Sequence, residues 1–250
     1  MIPFFSYDQI KIFGITFYPW GFFLGLALLF SYLILIREAK KKNIEEKKIL
    51  ALFLWVFLGV VIGSRLGYVF QFMSQYLKNP IEIFKIAQGG VVFYGGFIGG
   101  LILGWRYIKK NKLKFLEMGD MMAPAIAFGI FIGRIGCFLI NDHQGSLTNL
   151  PWAIKWMDGS LRHPIALYLS LNGLILFLIL KYLKKRLNQP GQLFFVFLFY
   201  YAFSRFIFDF LRASGTILSD PRYYQLTMSQ WISLLILVIL FVSYWRRKTI

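Results

Sequence analysis

Residues 17–48 read "FYPWGFFLGLALLFSYLILIREAKKKNIEEKK". As far as Ile36 the stretch carries no charge, and a helix needs roughly 17–25 such residues to cross a bilayer. It then turns basic, with Arg37, Lys40, Lys41, Lys42, Lys47 and Lys48 following closely. An uncharged run closed by a basic tail is the pattern of a span whose end is held in the cytoplasm. The pattern recurs. Apolar runs lie near 17–36, 49–70, 91–108, 121–140, 164–183, 192–211 and 229–245. Basic tails follow the first, third, fifth and seventh, as "REAKKKNIEEKK", "RYIKKNKLK", "KYLKKR" and "WRRK", and hold 18 of the 28 Lys and Arg residues. The loops on the other side hold seven: Lys11, Lys78, Lys85, Lys155, Arg162, Arg212 and Arg222. Only an odd number of spans closes that alternation. The expected fold is all-α: one polytopic membrane domain over 1–250 with seven transmembrane helices. Its N-terminus is expected outside and its C-terminus in the cytoplasm, with an outer loop at 141–163 between helices 4 and 5. The first run lacks a basic n-region and a small-residue cleavage site, so it is expected to be retained rather than cleaved.

Composition agrees with this solvent. A chain that is 58% hydrophobic and 16% charged, with mean hydropathy +0.62, has too little polar surface for a water-soluble domain of 250 residues. The net charge of +17 would fit nucleic acid if it were spread over one face. Its confinement to alternate tails points instead to topology and to contact with anionic lipid, so no nucleic-acid partner is expected. A single cysteine, Cys137, excludes an internal disulfide and a cysteine-based metal cluster. The two histidines, His143 and His163, both fall in the outer loop. No metal and no cofactor is expected.

Setting the topology charges aside leaves Arg65, Arg134 and Arg205 within or at the edge of apolar runs. An arginine at mid-membrane costs about 2.5–3.5 kcal/mol on insertion scales, so it turns inward to a partner or to water. Asp209 lies four residues after Arg205, on the same helical face, and a structural ion pair explains those two. Three cations still outnumber the nearby carboxylates. The abundant anion in a bilayer is a phospholipid phosphate, and the guanidinium fork fits it bidentately. Arg134 sits in "GRIGCFLINDHQG", where Gly133 and Gly136 permit close approach and Asn141, Asp142, His143 and Gln144 follow at the membrane edge. That cluster offers bases and hydrogen-bond donors; a polar helix end with Asn141 or Asp142 as its stop is the plainer alternative.

The stretch "GGVVFYGGFIGG" at 89–100 places six glycines around Tyr94. Gly96, Gly100 and Gly104 form a stripe for close helix packing. Gly89 and Gly90 are expected to turn the chain into the helix. Gly95 and Gly96 are expected to leave room beside Tyr94 for a lipid headgroup, with Tyr94 at a depth similar to that of Arg134.

Several of these stretches together resemble the prolipoprotein diacylglyceryl transferase family. "YPWGFFLGLAL" and "GSRLGYVF" are similar to its first two helices, and "GGVVFYGGFIGG" to its Gly-Gly-x-x-Phe-(His or Tyr)-Gly-Gly stretch. "GRIGCFLINDHQG" resembles its Gly-Arg-x-Gly-x-Phe motif, "RHPIALY" its Arg-His-Pro-x-x-Leu-Tyr, "YYAFSRFIFDFLR" its Tyr-x-x-x-Arg segment, and "LTMSQWISLLILV" its closing helix. The resemblance runs in order along almost the whole chain.

The resemblance implies transfer of a diacylglyceryl group from phosphatidylglycerol to the lipobox cysteine thiol of a preprolipoprotein signal peptide. Glycerol phosphate leaves and a thioether forms, at the outer face of the bacterial plasma membrane. The implied partners are phosphatidylglycerol, that signal peptide and the bilayer itself. The resemblance implies catalytic roles for Arg134 and Arg205; Tyr94, Asp142 and His143 are the further candidate catalytic residues. Phosphatidylglycerol is expected on Arg134, Arg205, Arg65, Tyr68, Gly95 and Gly96, with Asp209, Arg212 and Gln230 in support. Asp142 stands where many members carry Glu, Tyr94 where many carry His, Cys137 where Asn is frequent, Trp20 where Tyr is usual, and Leu169 where Glu usually follows. These departures leave Tyr94, Asp142 and His143 as alternative bases. The competing reading is a transporter that passes an anionic lipid or small anion along the same arginines; it predicts internal repeats, and none stands out.

Overall fold

The structure, a computed structural model, describes residues 1–12, 14–77, 79–85, 90, 92–215 and 221–248. Seven long helices carry the fold. They are α1 (Pro19–Lys41), α2 (Glu46–Gln71), then, after the single turn α3 (Met73–Tyr76), α4 (Phe93–Lys110), α5 (Phe115–Ile140), α6 (Ile165–Leu183), α7 (Gln192–Phe208) and α8 (Met228–Lys248). Each covers one of the expected apolar runs. Five are long and apolar enough to cross a membrane: α1, α2, α5, α6, and α7 continued to Leu211. The other two fall short for visible reasons. The eighteen residues of α4 include Arg106, Lys109 and Lys110, and the apolar part of α8 is the shorter stretch Met228–Ser243.

The chain divides into two compact units, Leu35–Met118 and the remainder (Met1–Ile34 with Gly119–Ile250), each described here by itself. In the unit 35–118, α2 and α4 are locked by glycines from both sides. A Cβ on Gly63 would lie 2.2 Å from the carbonyl oxygen of Gly95, one on Gly95 would lie 2.3 Å from that of Gly63, and one on Gly99 would lie 2.1 Å from that of Gly59. Gly59, Gly63 and Gly67 therefore mesh with Gly99 and Gly95 in antiparallel register, small residue against small residue, so that backbones touch. Val92 closes the pair by donating its N–H to the carbonyl of Ser64 at 3.0 Å. Gly95 and Gly96 do not open the space expected beside Tyr94. The α2 backbone occupies the Gly95 face, and Val60 and Ser64 occupy that of Gly96.

Arg65, expected on the lipid phosphate, is instead built into this unit. It is 6% exposed. Its Nε donates to the carbonyl of Ile83 at 2.9 Å, Nη1 to Gly90 at 3.0 Å and Nη2 to Glu82. Three carbonyl dipoles answer the charge, each hydrogen bond to a charged group contributing about 1.5–3 kcal/mol. Gly90 makes this possible. Its φ of +75° suits glycine, and a Cβ there would meet Arg65 Nη1 at 2.7 Å and the Tyr68 ring at 2.8 Å. Tyr68 thus packs on the turn that Arg65 holds. The turning role expected of Gly89 lies outside the described residues.

In the other unit, Ala123, Ala127, Leu176, Leu180, Leu193 and Phe197 form a core of α5, α6 and α7. Polar contacts fix the register. Ser170 Oγ donates to the Phe131 carbonyl at 2.8 Å, and Asn172 Nδ2 to Ser204 Oγ at 3.0 Å. Asp120 accepts the N–H groups of Gly191 (2.6 Å) and Phe194 (2.8 Å), so a carboxylate from α5 caps the positive N-terminal end of α7. Beyond the helices, β1 (Ile2–Pro3) pairs in parallel with β2 (Ile154–Lys155), which pairs antiparallel with β3 (Leu161–Arg162). The N-terminal segment thereby lies on the 141–163 loop, and Ser6 Oγ donates to the last carbonyl of α5, that of Ile140, at 2.8 Å.

Candidate active site

Helix α5 ends where the chemistry begins. Asn141 takes a left-handed φ of +50°, the stop that Asn tolerates better than most residues. The chain leaves the helix there, and His143 folds back toward the last turns of α5. Arg134 Nη1 lies 3.2 Å from His143 Nε2, and His143 Nδ1 is hydrogen-bonded to the Asp142 carboxylate. A guanidinium can only donate, so Nε2 is the accepting nitrogen and the ring proton sits on Nδ1, held by Asp142. Arg134 commits one nitrogen to protein. Nη1 makes the bond to His143 and a long 4.0 Å approach to Cys137 Sγ; Nε and Nη2 have no protein partner among the described residues. That edge is the two-pronged side of the guanidinium, suited to two oxygens of one phosphate.

A second group of charges surrounds Asp209, which is fully buried. Arg205 Nη2 lies 3.2 Å and Arg212 Nη1 3.9 Å from its Oδ1, within ion-pair reach. The Arg205 approach is off the line of a hydrogen bond, and Oδ1 makes none among the described residues. The other oxygen, Oδ2, accepts the Thr227 hydroxyl at 2.6 Å. Gln230, also fully buried, accepts the Thr227 N–H at 2.9 Å and donates to the Phe206 carbonyl at 3.2 Å. Gln230 therefore holds the start of α8 against α7. Arg205 also reaches Ser229 Oγ at 3.2 Å, while its Nη1 is buried with no hydrogen-bond partner among the described residues. Arg205 thus keeps a buried N–H group with no acceptor among the described residues, an arrangement suited to a further anion.

Backbone pairing brings the two groups to one end of the unit. Ser146 donates to the Leu211 carbonyl at 2.8 Å and Ala213 to the Gln144 carbonyl at 2.9 Å. Gly145 bridges Arg212, and a Cβ on Gly145 would strike the His163 carbonyl at 2.2 Å. The segment carrying Asp142 and His143 thus runs beside the one carrying Asp209 and Arg212.

Of the expected site residues, Arg134, Asp142, His143, Arg205, Asp209, Arg212 and Gln230 lie in this unit. Tyr94, half-buried in the first turn of α4, belongs to the unit 35–118 with Arg65, Tyr68, Gly95 and Gly96. One constellation was not expected from sequence. Trp152 Nε1 donates to Tyr168 Oη at 2.7 Å, and Tyr168 Oη lies 3.2 Å from His163 Nδ1. The hydroxyl accepts from Trp152 and shares a hydrogen bond with His163, whose imidazole is pushed down by burial from its usual 6.5 toward the neutral form. The signal was present in "RHPIALY", seven residues that lead into α6 and bring the two rings together.

Comparison with known proteins bears on this geometry as a whole. The family model described as prolipoprotein diacylglyceryl transferase matches residues 8–246. A phosphatidylglycerol--prolipoprotein diacylglyceryl transferase of Finegoldia magna is 38% identical over 86% of this chain and 87% of its own length. Proteins of the same name from Idiomarina loihiensis (32%, covering 85% and 82%) and Nitratidesulfovibrio vulgaris (39%, covering 70% and 68%) are also similar. With a match that takes in every helix and both charged groups, this bacterial membrane protein belongs to the prolipoprotein diacylglyceryl transferase family.

Proposed function

We propose that this chain transfers the diacylglyceryl group of phosphatidylglycerol to the thiol of a preprolipoprotein's lipobox cysteine. The observation that carries the reading is the open Nε–Nη2 edge of Arg134, at the same end of the unit as the buried Nη1 of Arg205, which has no hydrogen-bond partner among the described residues. The sulfur attacks the glyceryl carbon, the C–O bond breaks, and its electron pair stays on the phosphate oxygen of departing glycerol phosphate. Arg134 holds the phosphate and stabilises the charge that grows on it, the role of preorganised donors at a developing anion. Purified protein given phosphatidylglycerol and a lipobox peptide is expected to release one glycerol phosphate per thioether formed. Folded protein that moves anionic lipid between leaflets without peptide, and forms no thioether, would establish the transporter reading instead.

The site works at the outer face of the plasma membrane, with seven spans, the N-terminus outside and the C-terminus in the cytoplasm. Support comes from the four basic tails and from the outward apolar side chains of α4 and α8, including Ile98, Leu101, Leu235 and Val238, each more than half exposed in the free chain. Single cysteines introduced in the 37–48 loop should resist membrane-impermeant maleimide in intact cells. Labelling from outside would reverse the orientation.

Tyr94 is a separate part of the proposal: its hydroxyl donates to the lipid phosphate or the incoming thiol. Tyr94→Phe removes one oxygen and leaves the glycine-locked helix pair intact. Loss of a hydrogen bond to a charged group made in the transition state corresponds to roughly a ten- to hundred-fold lower kcat. An unchanged kcat would make Tyr94 a packing residue.

A further inference from the structure

We propose that His143 is the base that takes the thiol proton, and that Arg134 keeps its lone pair covered until a phosphate arrives. The inference rests on the transfer reaction above and assigns a step within it. Of the three alternative bases, the Tyr94 phenol is a proton donor first and a poor acceptor of a thiol proton. Asp142 is already engaged in holding His143 Nδ1–H. That leaves His143 Nε2, a nitrogen whose tautomer and direction are set by the carboxylate behind it, the arrangement by which an imidazole activates a nucleophile.

In the structure that lone pair accepts the Arg134 Nη1 proton at 3.2 Å. A thiol cannot use it at the same time. When the lipid phosphate engages the guanidinium, a charged acceptor outcompetes a neutral one for the N–H, because phosphate and guanidinium attract one another as full opposite charges where the imidazole offers only a dipole. Arg134 turns to the phosphate, and Nε2 is uncovered beside the carbon to be attacked. The thiol proton passes to Nε2, the thiolate forms the C–S bond, and the C–O electron pair leaves on glycerol phosphate. The imidazolium, stabilised by Asp142, then returns its proton to water. Lipid binding therefore precedes deprotonation, and a reactive thiolate is not generated at an empty site. The charged groups that face His143 are Arg134 from α5 and Asp142 beside it, with Arg212 on the segment paired to residues 144–146.

The test compares pH–rate profiles of the full-length protein in phosphatidylglycerol nanodiscs with a lipobox peptide. Wild type should lose kcat on acidification along a one-proton limb, the signature of a group that must accept the thiol proton. His143→Asn should lower kcat about a hundred- to a thousand-fold, within the range of general-base catalysis. Its residual rate should simply rise with pH toward the peptide thiol's own pKa near 8.5, the acid limb being gone. Phosphatidylglycerol affinity should be retained, which separates a lost base from a lost fold. Imidazole added to His143→Ala should restore part of the rate. The proposal is overturned if His143→Asn keeps the wild-type acid limb and a rate within about threefold. A wild-type protein that makes no thioether under any condition overturns the transfer reading instead, so the two failures are distinct.

Discussion

Arg134→Lys is expected to lower kcat/KM about a hundred- to a thousand-fold, the scale seen when one preorganised donor to a developing anion is lost. Arg134 is not needed for folding in the way that Arg65 is. Arg65 has a backbone carbonyl on each of its three nitrogens, whereas Arg134 has protein contacts on Nη1 alone among the described residues. Lysine keeps the positive charge, so insertion and folded yield should change little. It removes the planar fork and cannot present two parallel N–H groups to two oxygens of one phosphate. The loss should fall on kcat more than on KM, since a point charge still attracts phosphatidylglycerol. Monodisperse protein from size exclusion, assayed for thioether formation, gives the answer. Activity within threefold of wild type would remove Arg134 from the phosphate site and with it the main support for the transfer reaction.

The contrast between these two arginines shows what a sequence displays and what it hides. All seven long helices were legible, because twenty uncharged residues have few other options, and their family motifs were legible as strings. The helices run past the apolar runs, as α1 does to Lys41 and α5 does back to Phe115. Hydropathy marks only the part in lipid, while backbone hydrogen bonding continues into polar ends. Arg65 and Arg134 look alike as letters in apolar runs. What separates them is the carbonyls of Glu82, Ile83 and Gly90, and a carbonyl has no letter. The glycines of α4 drew notice, but their function needed Gly59, Gly63 and Gly67 on a helix some thirty residues earlier. For the same reason the pairing of Ile2 with Ile154 was not foreseeable from two-residue strands. The residues Asp142 and His143 were readable as a pair of candidate bases. Their arrangement, with His143 held between Asp142 and Arg134, required the left-handed turn at Asn141 that points the imidazole at Arg134.

Asp209 should be the most stability-sensitive residue of the site, and Arg205 should matter for a different reason. Asp209 is the one carboxylate within 4 Å of either arginine among the described residues, both nearly buried, at 11% and 12% side-chain exposure. Asp209→Asn keeps the shape and an oxygen for the Thr227 hydroxyl but leaves two cations facing one another. Breaking a buried pair by neutralising one partner costs about 3–5 kcal/mol. At about 2–4 °C per kcal/mol for a chain of this size, the melting temperature should fall roughly 6–20 °C. Arg205→Ala acts the other way on charge. Asp209 retains Arg212 and Thr227, so the fold should lose less, while the buried and unpartnered Nη1 of Arg205 is removed from the place where a phosphate would bind. The double variant Arg205→Ala with Asp209→Asn decides between the roles. Removing both charges should recover much of the melting temperature lost in Asp209→Asn, because only Arg212 then remains to be accommodated. Turnover should stay at the low level of Arg205→Ala, about a hundred-fold below wild type if one charge-assisted contact to the departing phosphate is lost. If turnover returned along with stability, Arg205 would be the structural partner of Asp209 and nothing more, and the anion site would consist of Arg134 alone.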